Sequence, residues 1–197
     1  MQIQQKSFTS FNIKVKNTDI NINPVTPTKD SIVIYSMGDS PYLKYDLNSE
    51  TLLVVDAEGE YESKDVFIIG KKVKDENCIL YTIAAESITV GVIAFANNPS
   101  VLPEDFFDTT DVLIIGCGGG MNFTPKHAHD IIQKLTPKVA LVYGFREQAN
   151  ADLQGTLDSF EDIKKEISGA TEIDKTFKVT SEDLERIENT EVYYFNF

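Results

Sequence analysis

Histidine is scarce in this chain of 197 residues: there are two, His127 and His129. Residues two apart on a helix lie about 200° apart around its axis, so the pair cannot clasp one ion as an i, i+4 pair would. A multi-histidine zinc centre therefore cannot be assembled. Cysteine is equally scarce: Cys78 and Cys117 form no Cys-x-x-Cys pair, and a chain this long can bury a core without a disulfide staple. Basic residues are outnumbered, 18 Lys and Arg against 31 Asp and Glu, for a net charge of −13. That balance, with no Lys/Arg run, excludes a surface for phosphate backbones and makes nucleic acid an unexpected partner. The apolar runs are strand-length, short of the roughly 20 residues that span a membrane as a helix. The opening Met1 to Thr9 has no basic region followed by an apolar run. No cleaved signal peptide is expected, and the chain reads as cytoplasmic.

What is present is β first and α/β afterwards. Phe11 to Lys16 and Asp19 to Asn23 alternate apolar with polar around an Asn17-Thr18 turn. Ser31 to Tyr35, Thr51 to Val55, Val66 to Ile69, Cys78 to Ile83 and Ile88 to Ala94 follow as strands, several separated by short polar turns. From Asp111 the period changes. A buried strand, Asp111 to Ile115, runs into Gly116-Cys117-Gly118-Gly119-Gly120. Thr124-Pro125 reads as an N-cap with proline at the first helical position, opening a helix that ends before Pro137. Val139 to Tyr143 is a strand, Leu157 to Ile167 an amphipathic helix, and Glu191 to Phe195 a last strand. Strands followed by βαβ units predict an α/β (α+β) arrangement of two sheets flanked by helices, as one domain over 1–197.

Few motifs carry chemistry. The glycine run matches neither Gly-x-Gly-x-x-Gly nor a Walker loop, so a strand-to-helix connection explains it best. Asp56, Glu58, Glu60 and Glu62 recur at period 2, which would place them on one face of an extended chain. With Gly59 interrupting, they are expected as solvated carboxylates at a turn. No Gly-x-Ser-x-Gly elbow is present.

The order of segments resembles the compact, lactonase-like branch of the metallo-β-lactamase superfamily, related to L-ascorbate-6-phosphate lactonase. Val54-Val55-Asp56-Ala57-Glu58-Gly59-Glu60-Tyr61-Glu62 is similar to that family's Gly-Pro-Gly-Glu-Tyr-Glu signature. Ile20-Asn21-Ile22-Asn23-Pro24 resembles an opening hairpin that in the family ends in Asp-Pro. Asp111 to Gly120, then Thr124 to Ala128, resemble its glycine loop and following helix. The resemblance covers essentially the whole chain and implies a four-layer αββα sandwich.

It also implies zinc or manganese, and there the sequence departs from the pattern. Where the family has His-x-His-x-Asp-His after a strand, this chain has Ser36-Met37-Gly38-Asp39-Ser40-Pro41-Tyr42, placing Met37, Asp39, Pro41 and Tyr42 at the ligand and base positions. Ala96-Asn97 stands for the family's Gly-Asp, and Tyr143-Gly144-Phe145 for its Met-His-Tyr. Thioether, proline, glycine and neutral amide cannot hold an ion that must lower the pKa of bound water. No cofactor is expected. The expectation is a degenerate member with a binding, scaffold or subunit role, in a homo-oligomer or with a protein partner. A relic cleft would be formed by Met37, Asp39, Tyr42, Asn97 and Gly144, and a ligand would meet Glu60, Gly118, Gly119 and Asn122. The alternative is a lactonase- or phosphodiesterase-like hydrolase with a rebuilt site drawing on Asp39, Glu60, Asn97 and His127.

Overall fold

Alternation in Phe11-Asn12-Ile13-Lys14-Val15 puts Phe11, Ile13 and Val15 on one face and buries all three. That face seeds the core. The computed structural model describes residues 1–37, 51–74 and 76–196. The strands among them are β1 (Gln2–Gln5), β2 (Phe11–Val15), β3 (Thr18–Ile22), β4 (Ile32–Ile34) and β5 (Leu53–Val55). They continue as β6 (Gly59–Ser63), β7 (Val66–Lys72), β8 (Ile79–Ala85), β9 (Ile88–Ile93) and β10 (Val112–Gly116). After helix α1 (Pro125–Leu135) come β11 (Val139–Tyr143), α2 (Ala151–Gln154) and α3 (Phe160–Glu166). The chain closes with β12 (Thr171–Ile173), β13 (Phe177–Lys178), α4 (Ser181–Glu185) and β14 (Glu191–Phe195).

Two sheets result. One runs β13-β1-β2-β3-β4-β5 and the other β12-β14-β11-β10-β9-β8-β7-β6. Between them lies the main core, with Ile13, Ile20, Ile22 and Ile34 facing Ile68, Ile83, Val92 and Ile114. Period-2 alternation sends Leu113, Ile115, Ala140 and Val142 to the other face of the larger sheet, against Ala128, Ile131 and Ile132 of α1 and Ile163 of α3. Strands β9, β10, β11, β14 and β12 are mutually parallel, whereas β6 to β9 form an antiparallel meander.

Most expected elements form close to where the periodicity puts them, and Thr124 caps α1 by accepting a bond from His127 N at 3.3 Å. Three details differ. The first hairpin turns at Lys16-Asn17, since β-branched Thr18 is buried and pairs with Val15. The helix expected from Leu157 begins at Phe160. Leu157 O is taken by the Arg146 guanidinium at 2.9 and 3.1 Å, Asp158 N donates to Gly118 O at 2.8 Å, and Ser159 with Asp162 closes a capping box. Glu58 to Glu62 is exposed as expected, but Gly59–Ser63 is a strand rather than a turn, since Gly59 at φ 144 keeps the chain extended enough to pair with Gly70.

Candidate functional site

In an open sheet with parallel strands, ligands gather beyond the carboxyl ends of those strands. Here the ends of β3, β4, β9, β10 and β11 converge. Ile79 N, at the start of β8, donates to Ser36 O at 2.7 Å, and the Tyr81 hydroxyl donates to Tyr35 O at 2.9 Å. Those bonds tie the end of β4 to the end of the larger sheet. Asn23, at φ 47, accepts a bond from Ser36 N at 2.7 Å and donates to Ser36 Oγ at 3.3 Å, while Ser10 Oγ donates to Asn23 O. Asparagine tolerates that left-handed backbone better than most residues. Ser10, Asn23 and Ser36 are all buried.

The glycine loop closes the other half of this end. Asn122 lies between Gly116 and Gly144: a side chain on Gly116 would overlap the Asn122 amide, and one on Gly144, at φ 87, would start 2.7 Å from Asn122 Nδ2. Asn122 Oδ1 accepts a bond from Phe95 N at 3.4 Å, and the residue is 4% exposed. Gly118 packs directly on the Gly144 carbonyl. Three of the loop's amides are engaged: Cys117 N with Tyr143 O at 2.9 Å, Gly119 N with Phe123 O at 2.8 Å, and Asn122 N with Gly119 O at 3.0 Å. Asp158 Oδ2 sits against Gly119. Burial, then Asp162, pushes its carboxyl pKa up, and Arg146 opposes that rise. A loop with three of its amides already engaged and a carboxylate against it is a poor phosphate cradle.

Behind the loop, Gln148 binds the strand ends together. Its Oε1 accepts from Gly144 N at 2.8 Å, and its Nε2 donates to Phe195 O at 3.0 Å and Gln5 Oε1 at 3.2 Å. Tyr143 is buried edge-on to Phe11, with ring centroids 5.0 Å apart, and its hydroxyl has no hydrogen-bond partner among the described residues. Burial, with Cys117 nearby, holds that phenol well above its ordinary pKa. An unsatisfied buried hydroxyl costs free energy, so Tyr143→Phe is expected to leave stability unchanged or raise it by up to about 1 kcal/mol in urea unfolding. A clear loss would show that the hydroxyl has a partner.

The thiols are poor nucleophiles. Burial, reinforced by Glu76, pushes Cys78 up to about 12, and burial raises Cys117 further still; its Sγ donates to Tyr143 O at 3.4 Å.

The expected site residues are not brought together as one cluster. Met37 is half-buried beyond β4, and Asn97 is exposed beyond β9. Asp39 and Tyr42 lie outside the described residues. Gly144, Gly118, Gly119 and Asn122 meet at the closed loop, but Glu60 sits on β6, four strands from β10, about 19 Å at ordinary strand spacing. His127 and His129 are half-buried on α1, and Asp130 there pairs with Lys126 at 2.7 Å. Sequence reasoning overlooked Gln148, and assigned Asn23 no role although Asn23-Pro24 stood out as a variant of Asp-Pro.

Solved structures settle the architecture. A candidate Zn-dependent hydrolase of the metallo-β-lactamase superfamily from Thermotoga maritima superposes with a TM-score of 0.78, at 18% identity over 99% of both chains. The fold is that of the metallo-β-lactamases. An isothiocyanate hydrolase from gut bacteria of Delia radicum is similar at TM-score 0.64 and 6% identity, over 98% of this chain and 96% of that one. A candidate metal-dependent hydrolase from Parabacteroides distasonis gives 0.58 at 12% identity, over 98% and 91%. No protein-family model matches the chain, and no curated protein matches it in sequence.

The metallo-β-lactamase fold implies a metal, and the described donors at this end do not fit one. Asn23, Ser36, Asn122 and Gly144 offer neutral amides, a hydroxyl and no side chain; Asn23 and Ser36 bond to each other, and Asn122 Oδ1 accepts from Phe95 N. Among the described residues no three His, Cys, Asp or Glu side chains gather as an ion would require. The described cavities reach this end only at their margins, at Ser10 and Pro24 and at Phe145 and Gln148. One of about 560 Å³ is lined by Gln2, Gln4, Asn12, Lys14, Asp19 and Asn21, and two of about 420 and 280 Å³ meet at Phe195 and Asn196. No helix among the described residues is long and apolar enough to cross a membrane.

Proposed function

We propose that this is a catalytically degenerate metallo-β-lactamase-fold protein with a binding, scaffold or subunit role, not competent for zinc-dependent hydrolysis. The observation that carries the reading is Asn122 seated between Gly116 and Gly144. It fills the space in front of the position where the lactonase-like branch has a histidine. The buried Asn23–Ser36 pair supports it on the opposite sheet. We place the protein in the cytoplasm, in keeping with two unpaired, buried thiols, and assign it a homo-oligomeric or protein-bound state without nucleic acid or membrane contact.

Elemental analysis after expression and dialysis in zinc- and manganese-replete medium tests the reading. Substoichiometric metal is expected, with no change in the thermal unfolding midpoint on adding chelator. One zinc, manganese or iron per chain, retained through gel filtration, would sink it. The second reading, a hydrolase with a rebuilt site, requires Asp39, Glu60, Asn97 and His127 to converge. The four-strand separation of Glu60 from the glycine loop weighs against that.

A further inference from the structure

Among the described residues β6 is the outermost strand of the eight-stranded sheet, with no strand paired to its outer edge, and Gly59, Glu60 and Glu62 are exposed. Lys64 and Asp65, at φ 53 and 62, form a two-residue turn that closes the hairpin at Ser63 and Val66. In that register the backbones of Gly59, Tyr61 and Ser63 bond to β7, so the N–H and C=O groups of Glu60 and Glu62 point away from the sheet. Tyr61 turns its ring toward the core, and Glu60 and Glu62 share the outer face with their register partners Ile69 and Phe67. Phe67 is 39% exposed, an unusual state for a large apolar side chain in mid-strand.

This edge repels its own copy. Two β6 edges brought together would oppose glutamate to glutamate, between chains that each carry a net charge of −13. Glu58, also exposed, extends the acidic row; the hairpin's cations are Lys64 in the turn and Lys71 and Lys72 at the far end of β7, leaving Glu60 and Glu62 opposite apolar Ile69 and Phe67. Charge complementarity therefore selects the occupant. We propose that the β6 edge binds an extended basic segment of a partner protein, with lysine or arginine at alternate positions facing Glu60 and Glu62 and its backbone completing their outward hydrogen bonds. The stems of those side chains would cover Phe67. The proposal extends the scaffold reading by naming a partner chemistry. It fails separately from that reading, since metal content decides one and peptide capture the other.

Fluorescence anisotropy of a short labelled peptide alternating lysine and valine, titrated with the full chain, tests it against an alternating glutamate–valine control. Saturable binding of the basic peptide alone is expected. The exposed double variant Glu60→Lys/Glu62→Lys is expected to weaken it by about tenfold. Glu62→Pro, which removes an outward N–H while leaving the pairing to β7 in place, is expected to weaken it by about fivefold. Thermal melts establish that each variant is folded; the charge variant carries the test if the proline variant is not. Absence of binding, equal binding of both peptides, or unchanged affinity in a folded Glu62→Pro would overturn the proposal. So would a dimer of the free chain that Glu62→Pro dissolves, because the occupant would then be a second copy.

Discussion

Gly118→Ala is expected to destabilise the protein by about 4 kcal/mol or more, enough to leave most of the chain insoluble or unfolded on expression. A methyl group at this position would fall on the Gly144 carbonyl and within 2.7 Å of Phe145 Cα. Both obstacles are backbone, so no rotamer change relieves them. The two segments that would have to part are held by Cys117 N to Tyr143 O at 2.9 Å, Asp158 N to Gly118 O at 2.8 Å, and Arg146 N to Asp158 O at 2.9 Å. Shifting either one disturbs all three bonds. Gly155→Ala is the control, since nothing lies within contact distance of a Cβ there. Urea unfolding of the pair measures the difference, and equal midpoints would show the loop to be pliable.

Gly144→His is the second large effect. By the sequence resemblance, Gly144 stands where the lactonase-like pattern has a histidine, so under the proposed function the change looks like a restoration. The expected outcome is a loss of about 3 kcal/mol and no gain of metal. A non-glycine residue at φ 87 is strained by itself, and the new Cβ would meet Asn122 Nδ2 at 2.7 Å. Displacing Asn122 also frees Phe95 N from its 3.4 Å bond. Chemical unfolding checks the energy, and isothermal titration with zinc checks the affinity. Tight zinc binding by the single variant would mean that the site had been one residue from function.

The sequence carried the architecture further than the closed end. Period-2 alternation at Phe11 to Val15, the Thr124-Pro125 cap and the continuous apolar run Val139 to Tyr143 each dictate local structure through neighbours within a few residues, so each is readable without the fold. Gln2–Gln5 has a single apolar residue, and it is a strand only because β2 and β13 flank it on both sides; nothing local signals that. That no multi-histidine cluster could form was legible as a count of histidines, two in the chain. What fills the space was not: Asn122 seated against Gly116 and Gly144 joins positions 22 residues apart or more from Gly144, and Gln148 reaches back to Gln5. Composition cannot express such contacts. The Glu58 to Glu62 row shows the converse. Its exposure followed from charge alone, but whether it lay on a turn or a strand depended on β7.

The order of strands has a consequence for synthesis on the ribosome. β1 lies between β2 and β13, pairing Ile3 with Phe177, and β12 has no partner until β14 arrives beside it. A nascent chain emerges at about 5–20 residues per second. The first strand therefore waits for about 170 further residues before its second edge is covered. Both sheets acquire their last strands from the same C-terminal stretch, so completion is late and coupled. Until β13 emerges, a ribosome-bound intermediate would expose one edge of β1, an unpaired strand edge of the kind that invites aggregation.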